Sequence, residues 1–323
     1  MLTLDSTTRP LLQTQKNLLA FSAGIDSTAL FFLLQEEGIA FDIALVNYGV
    51  REESDVEERY AKTLAETHNL SCFTLHAPKF STHFEEEARR FRYQFFERLV
   101  TEHGYENLIT AHQLNDQLEW LLMRLTKGAG TVELVGLESV SKRTNYTILR
   151  PILHHSKKEL LAYLQQHNQT YFIDSSNSDE QYERNYFRRH FTDRLIEEYQ
   201  AGITQSLAYL REDKAVLLSG YRELFHYEEL YILALEQESV KVRVIDRYLK
   251  QLGYLLSAAQ REILQSEKSV VLGGVWAVEI VEQRIFISPY VQTVIPKKER
   301  ERYRIAKIPP KVRGYCYLQG III

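Results

Sequence analysis

Asn17-Leu-Leu-Ala-Phe-Ser-Ala-Gly-Ile-Asp-Ser-Thr-Ala-Leu30 reads as a buried strand that breaks into a tight turn and restarts as a helix. Leu18 to Phe21 form the short continuous apolar run of a parallel strand covered on both faces, and Thr28 to Gln35 has helical composition. The turn between them, Ser22-Ala-Gly-Ile-Asp-Ser27, offers backbone N–H groups at the positive end of a helix dipole. That geometry favours an anion, and the hydroxyls of Ser22 and Ser27 add donors at its rim. Ser22, Ala23, Gly24, Ile25, Asp26 and Ser27 together are therefore a candidate phosphate cradle. A bare carboxylate at Asp26 would repel a phosphate. It can reach polyphosphate oxygens through Mg2+, which takes one or two carboxylates plus substrate oxygens and water. No G-x-x-x-x-G-K-[ST] segment occurs, so transfer of a terminal phosphoryl group on a Walker-type loop has no support.

The alternation continues downstream. Gly38 ends the first helix, Phe41 to Val46 reads as a strand followed by Asn47-Tyr-Gly-Val-Arg51, and a helix runs from about Ser54 to His68. Then come a strand at Cys72 to His76, a helix at Phe84 to Glu102, a strand at Asn107 to His112 and a helix at Asn115 to Thr126. This order implies an α/β fold, a doubly wound and mostly parallel sheet whose ligands sit at the carboxyl ends of the strands. Ser22–Asp26, Asn47–Arg51 and His112–Asp116 all follow strands directly, so one crevice can hold all three. Ile148 to Leu153 closes the sheet region, and Ser156 caps a helix through His167 with Lys157, Lys158 and Glu159 in its first turn. A loop at Ile173 to Asp179 precedes a helix at about Tyr182 to Tyr199, and Leu207 to Leu235 has helical composition. Val270 to Val281, with Gly273-Gly274 at its turn, is a hairpin candidate. A boundary near residue 200 separates a nucleotide-binding domain, 1–200, from a mainly helical second domain, 201–323, with a small β element.

Two domains suit a length of 323 residues, since single cores seldom grow beyond about 250. No apolar run approaches the roughly 20 residues of a membrane span. Met1 leads into Leu-Thr-Leu-Asp-Ser-Thr-Thr-Arg9, which lacks the pattern of a secretory signal, so a cytoplasmic protein with no membrane partner is expected. Cys72 and Cys316 are the only cysteines and form no C-x-x-C, which speaks against zinc or an iron–sulfur cluster. A net charge of −4 gives no global nucleic-acid signature, but local patches exist. Lys297 to Arg313 holds eight Lys or Arg and two Glu, and Arg184, Arg188, Arg189, His190 and Arg194 cluster in the other.

His112, Asp116 and Glu119 set an imidazole at a strand end above two carboxylates on one helix face. Acidic first-turn residues are also ordinary helix-dipole partners. What gives them weight is the surrounding series: Val46-Asn-Tyr-Gly-Val-Arg51, Ala88-Arg-Arg-Phe-Arg-Tyr93, Lys127-Gly-Ala-Gly130, Leu149-Arg-Pro-Ile-Leu153, Asp174-Ser-Ser-Asn177 and Arg184-Asn185 with Arg188. The turn at Ser22 resembles the pyrophosphate loop, S-G-G-x-D-S, of the PP-loop or N-type ATP pyrophosphatases. Ala23 stands at the first glycine, which suggests negative φ there. The ordered motifs of residues 17–195 resemble the tRNA(Ile)-lysidine synthase family, whose V-N-H-G-L-R, A-R-x-x-R-Y, A-H-x-x-D-D-Q-x-E-T, D-x-S-N and R-N-x-x-R patterns they follow in order. Tyr48, Asn115 and Trp120 depart from those patterns.

The resemblance implies a ligase that uses ATP to adenylate C2–O of the wobble cytidine in the CAU anticodon of tRNA(Ile). The ε-amine of L-lysine then displaces AMP, and reading shifts from AUG to AUA. It implies ATP and Mg2+ as cofactors, with Mg2+ on Asp26 and the nucleotide on Ser22 to Ser27 and Asn47. Asp26, His112, Asp116, Glu119, Arg89 and Arg92 would carry the chemistry, and Arg51, Arg184, Asn185 and Arg188 would meet tRNA phosphate or the reacting nucleotide. The second domain, with its basic segment and Tyr303 free to stack, would bind tRNA as well. The chain would be a short form of the family, and a homodimer is left open.

Overall fold

The computed structural model describes residues 2–49, 53–80, 84–173 and 183–321. Arg51 and the segment from Asp174 to Asn177 lie outside the described residues. The chain forms two compact units, 1–211 and 212–323.

The first unit runs α1 (Arg9–Thr14), β1 (Asn17–Ala20), α2 (Ile25–Glu36), β2 (Phe41–Asn47), α3 (Glu53–Thr67), β3 (Cys72–His76), α4 (Phe84–His103), β4 (Asn107–Ile109) and α5 (Leu114–Leu125). It continues through α6 (Thr131–Leu134), β5 (Val140–Lys142), β6 (Thr147–Leu149), α7 (Lys157–Gln166) and α8 (Glu183–Phe187) into α9 (Asp193–Leu218), which crosses the boundary in sequence. The sheet order is β3-β2-β1-β4-β6-β5, parallel except for β5, an antiparallel edge strand that the sequence reading lacked. Both faces are covered. Leu19 and Ile43 point into a core with Leu30, Phe31 and Leu34 of α2 and Leu160 and Leu164 of α7. Their neighbours Leu18 and Ala44 point the other way, onto Phe95, Phe96 and Leu99 of α4.

The second unit is a five-stranded antiparallel sheet, order β7-β8-β11-β10-β9, with helices on both faces. Its elements are β7 (Tyr221–Tyr227), β8 (Leu230–Leu235), α10 (Lys241–Gln251), α11 (Ala258–Ser266), β9 (Ser269–Leu272), β10 (Trp276–Val281), β11 (Arg284–Pro289), α12 (Lys297–Ile305) and α13 (Pro310–Leu318). The β9–β10 hairpin turns at Gly273 and Gly274, both at positive φ, as the sequence predicts. Two expectations fail. Residues 221–235 are a hairpin and not a helix, because Glu228, at φ +48, makes the turn without any of the usual turn residues. Tyr303 is buried among Ile308, Val312 and Cys316, and its hydroxyl donates to Ile321 O, so it is not free to stack on a base.

Candidate active site

β1 lies between β2 and β4, so the strand order reverses at β1/β4 and a crevice opens there at the carboxyl ends. The Ser22–Ser27 turn forms one wall. Gly24 is the extended N-cap of α2, no side chain caps that helix, and the Thr28 N–H donates to Gly24 O at 2.9 Å. The two hydroxyls brace the turn: Ser22 Oγ lies 3.0 Å from Ser27 Oγ, which also accepts from Ser22 N–H. Ala23 is fully buried at φ +57, against the negative φ expected of a non-glycine residue. The Phe172 N–H donates to Ala23 O at 2.9 Å and helps to hold it there.

Asp26 follows in the first turn of α2. Its Oδ1 is buried and accepts no hydrogen bond. Burial, then the nearby Asp116 and Glu119 carboxylates, push its carboxyl up to about 7, against the pull of Lys157 and Arg188.

The other wall follows β4. The His112 Nδ1 lies 3.0 Å from Thr110 Oγ1. Burial pushes the imidazole down to about 4 although Asp116 favours its charge, so it is neutral at physiological pH. Gln113 caps α5, its Oε1 accepting from Asn115 N–H while Asp116 Oδ2 accepts from Gln113 N–H at 2.9 Å. This capping box fixes the Asp116 rotamer and leaves Oδ1 to accept from Arg184. One turn on, Glu119 is almost fully buried.

Arg184 and Arg188 reach both carboxylates from the far side. Arg184 Nε donates to Glu119 Oε2 at 2.7 Å and its Nη2 to Asp116 Oδ1. Arg188 grips Glu119 with Nε to Oε1 at 2.6 Å and Nη2 to Oε2 at 3.2 Å. Burial works against a charged Asp116, but Arg184, His112 and the Gln113 N–H outweigh it and hold that carboxyl below the usual range. The sequence reading assigned these arginines to tRNA phosphate or the reacting nucleotide; in the structure both bond carboxylates. Asn185 lies beside them, half-buried, on α8. Arg188 to Thr192 winds as a single π-turn between α8 and α9.

The remaining residues are spread around this centre. The Asn47 amide donates to Asp55 Oδ1 and Glu58 Oε2 while its Oδ1 accepts from Gly49 N–H, so its side chain is occupied in holding the loop after β2. Arg89 stacks over Tyr93 at 5.1 Å and lies close enough to act on the charge of His112. Arg92 bonds the Tyr48 hydroxyl, which donates to Ala88 O. Two residues that the sequence reading did not assign act on the centre through their charge. Buried Arg150 donates to Glu138 O and Ser141 Oγ and acts on His112, and Lys157 acts on Asp26. Arg150 stood in the quoted L-R-P segment and Lys157 in a capped first turn, but neither segment carries a chemical signature by itself.

A PP-loop domain model matches residues 3–195. A tRNA(Ile)-lysidine synthase of Wolinella succinogenes is 46% identical over 96% of this chain and 95% of its own length. One of Campylobacter jejuni is 43% identical over 97% and 96%, respectively. Among solved structures, the U34-tRNA thiolase NcsA from Methanococcus maripaludis matches with TM-score 0.50 and 17% identity, over 64% of this chain and 74% of that one, a likeness of fold alone. The phosphate turn, the crevice at the strand reversal and near full-length identity agree: the chain belongs to the tRNA(Ile)-lysidine synthase family of PP-loop enzymes.

Proposed function

We propose that the chain is an ATP-dependent ligase joining L-lysine to C2 of the wobble cytidine in the CAU anticodon of tRNA(Ile), through an adenylated cytidine. The observation that carries the site assignment is the buried, unpartnered Oδ1 of Asp26 at the uncapped start of α2, across the crevice from Asp116 and Glu119. A carboxylate in that position fits Mg2+. Mg2+ needs only one or two protein carboxylates, with substrate phosphates and water as its other ligands. When bound, Mg2+ supplies positive charge that offsets the negative charge growing on the phosphates.

In the first step the cytidine C2 oxygen attacks the α-phosphorus and pyrophosphate leaves. The N–H groups opening α2 and the hydroxyls of Ser22 and Ser27 would receive the phosphate oxygens, and Arg89 or Arg92 would face the charge that develops. In the second step the lysine amine attacks C2 and AMP leaves. An ε-ammonium of pKa about 10.4 must first lose a proton. Asp116 and Glu119 would hold the ammonium, sharing their oxygens with Arg184 and Arg188, and neutral His112 would accept or relay the proton. Sulfur transfer, the nearest alternative, lacks its thiolates: burial pushes the thiols of both Cys72 and Cys316 up to about 11.

Incubation with ATP, labelled lysine and total tRNA, followed by mass analysis of nucleosides, tests the reading. The expected result is one cytidine gaining the mass of lysine less water, with pyrophosphate released only when tRNA is present. Pyrophosphate release with no lysine incorporated would overturn it.

A further inference from the structure

We propose that Lys157, the first residue of α7, is a further catalytic contact, its ammonium binding the pyrophosphate that ATP loses in the first step. The proposal rests on the ligase reading above.

Register places it. Glu36, at the end of α2, accepts a hydrogen bond from the Tyr163 hydroxyl at 2.6 Å and lies 3.7 Å from His167 Nδ1, at the end of α7. Leu30 and Leu34 share one core with Leu160 and Leu164 between those ends. Both helices lead away from carboxyl ends of parallel strands, so they run in the same direction. Asp26 stands ten residues before Glu36, and Lys157 ten before His167. At 1.5 Å per residue both offsets are about 15 Å, which brings the two residues level at the head of the crevice. The α5 helix is stitched to the same place: Leu114 N–H donates to His155 O at 2.8 Å and Lys157 N–H to Asn115 Oδ1 at 3.2 Å. Three helix N-termini thus meet around the phosphate turn.

Lys157 is also electrostatically available. Its neighbour Lys158 pairs with Glu197 at 2.8 Å, whereas Lys157 forms no ion pair among the described residues. A cation level with the metal-binding carboxylate suits the β- and γ-phosphates, which carry the negative charge of the leaving group, and not the adenosine end.

Calorimetric titration of the full chain in Mg2+ buffer with inorganic pyrophosphate, and separately with AMP, tests this. Lys157→Ala should weaken pyrophosphate binding about 10- to 100-fold, the range for a charged hydrogen bond, and leave AMP within about twofold. Lys157→Arg should restore most of the loss. If Lys157→Ala does not fold, Lys157→Gln carries the same comparison. Unchanged pyrophosphate affinity, or equal loss of both ligands, overturns the proposal. A wild-type chain that neither binds pyrophosphate nor releases it from ATP overturns the underlying reading, and the proposal with it.

Discussion

Ala23 holds a left-handed conformation with its methyl fully buried, so opposing effects decide what glycine would do there. The conformation costs an L-residue about 1–2 kcal/mol. Glycine would relieve that, but it would lose a buried methyl of about 0.8 kcal/mol and add about 0.5–1 kcal/mol of backbone entropy to the unfolded chain. Ala23→Gly should therefore shift urea-denaturation stability by less than about 1 kcal/mol, which explains how this chain dispenses with the family glycine. Asp26 is a starker case. Its folded pKa of about 7 lies above its ordinary 3.8, so its stabilising contribution is full below pH 3.8 and is lost as pH rises through 7. Without Mg2+ and nucleotide, Asp26→Asn should be more stable than wild type at pH 8 by up to about 4 kcal/mol, about three pKa units at about 1.4 kcal/mol each, and should be inactive. Denaturation at pH 4.5 and pH 8 checks this: an advantage that does not grow with pH would contradict the burial argument. Glu119→Gln should slow lysine transfer more than adenylation in single-turnover assays, and equal losses would move Glu119 to the ATP side.

At the scale of elements, the first 170 residues were legible, the short edge strand β5 excepted, because each parallel strand ends in a turn whose chemistry is local. The β1–α2 cradle, the capped α5 and the Ser156 capping box follow from residues two to five apart. What was illegible depends on distant partners. Arg184 and Glu119 are 65 positions apart, and nothing in either segment announces that they pair. The β7–β8 hairpin was missed for a different reason, since a Glu-Glu turn carries no turn signal and the flanking tyrosines and leucines also suit a helix. Glu228 is exposed, so glycine there would lose no buried atoms. Glu228→Gly should stabilise the second unit by about 0.5–1 kcal/mol in thermal denaturation, in contrast to Ala23.

For the whole molecule, charge decides how an RNA could be held. The chain carries −4 overall while 297–313 is strongly basic, so binding has to come from local surface. The structure weakens the segment's charge. Arg302 and Arg304 pair with Glu299 and Glu301 on α12, and Lys307 pairs with Glu282. Exchanging Arg300, Arg302 and Arg304 together for glutamine should flatten the salt dependence of tRNA binding by about one unit of log–log slope, with ATP affinity unchanged. An unaltered slope would show that tRNA is held elsewhere.

The π-turn at Arg188–Thr192 has one last consequence, which concerns helical phase. It holds one residue more than an α-helical turn, so side chains before and after it are offset by about 100° from an uninterrupted helix. Deleting exposed His190 would restore α-helical phase. Ile196 and Leu207 would keep their places in the core, while α8 would rotate and carry Arg184 away from Asp116. A single inserted residue, invisible to hydrophobic patterning, thus sets the aim of the arginines, and its removal would leave a smoother helix pointing the wrong way.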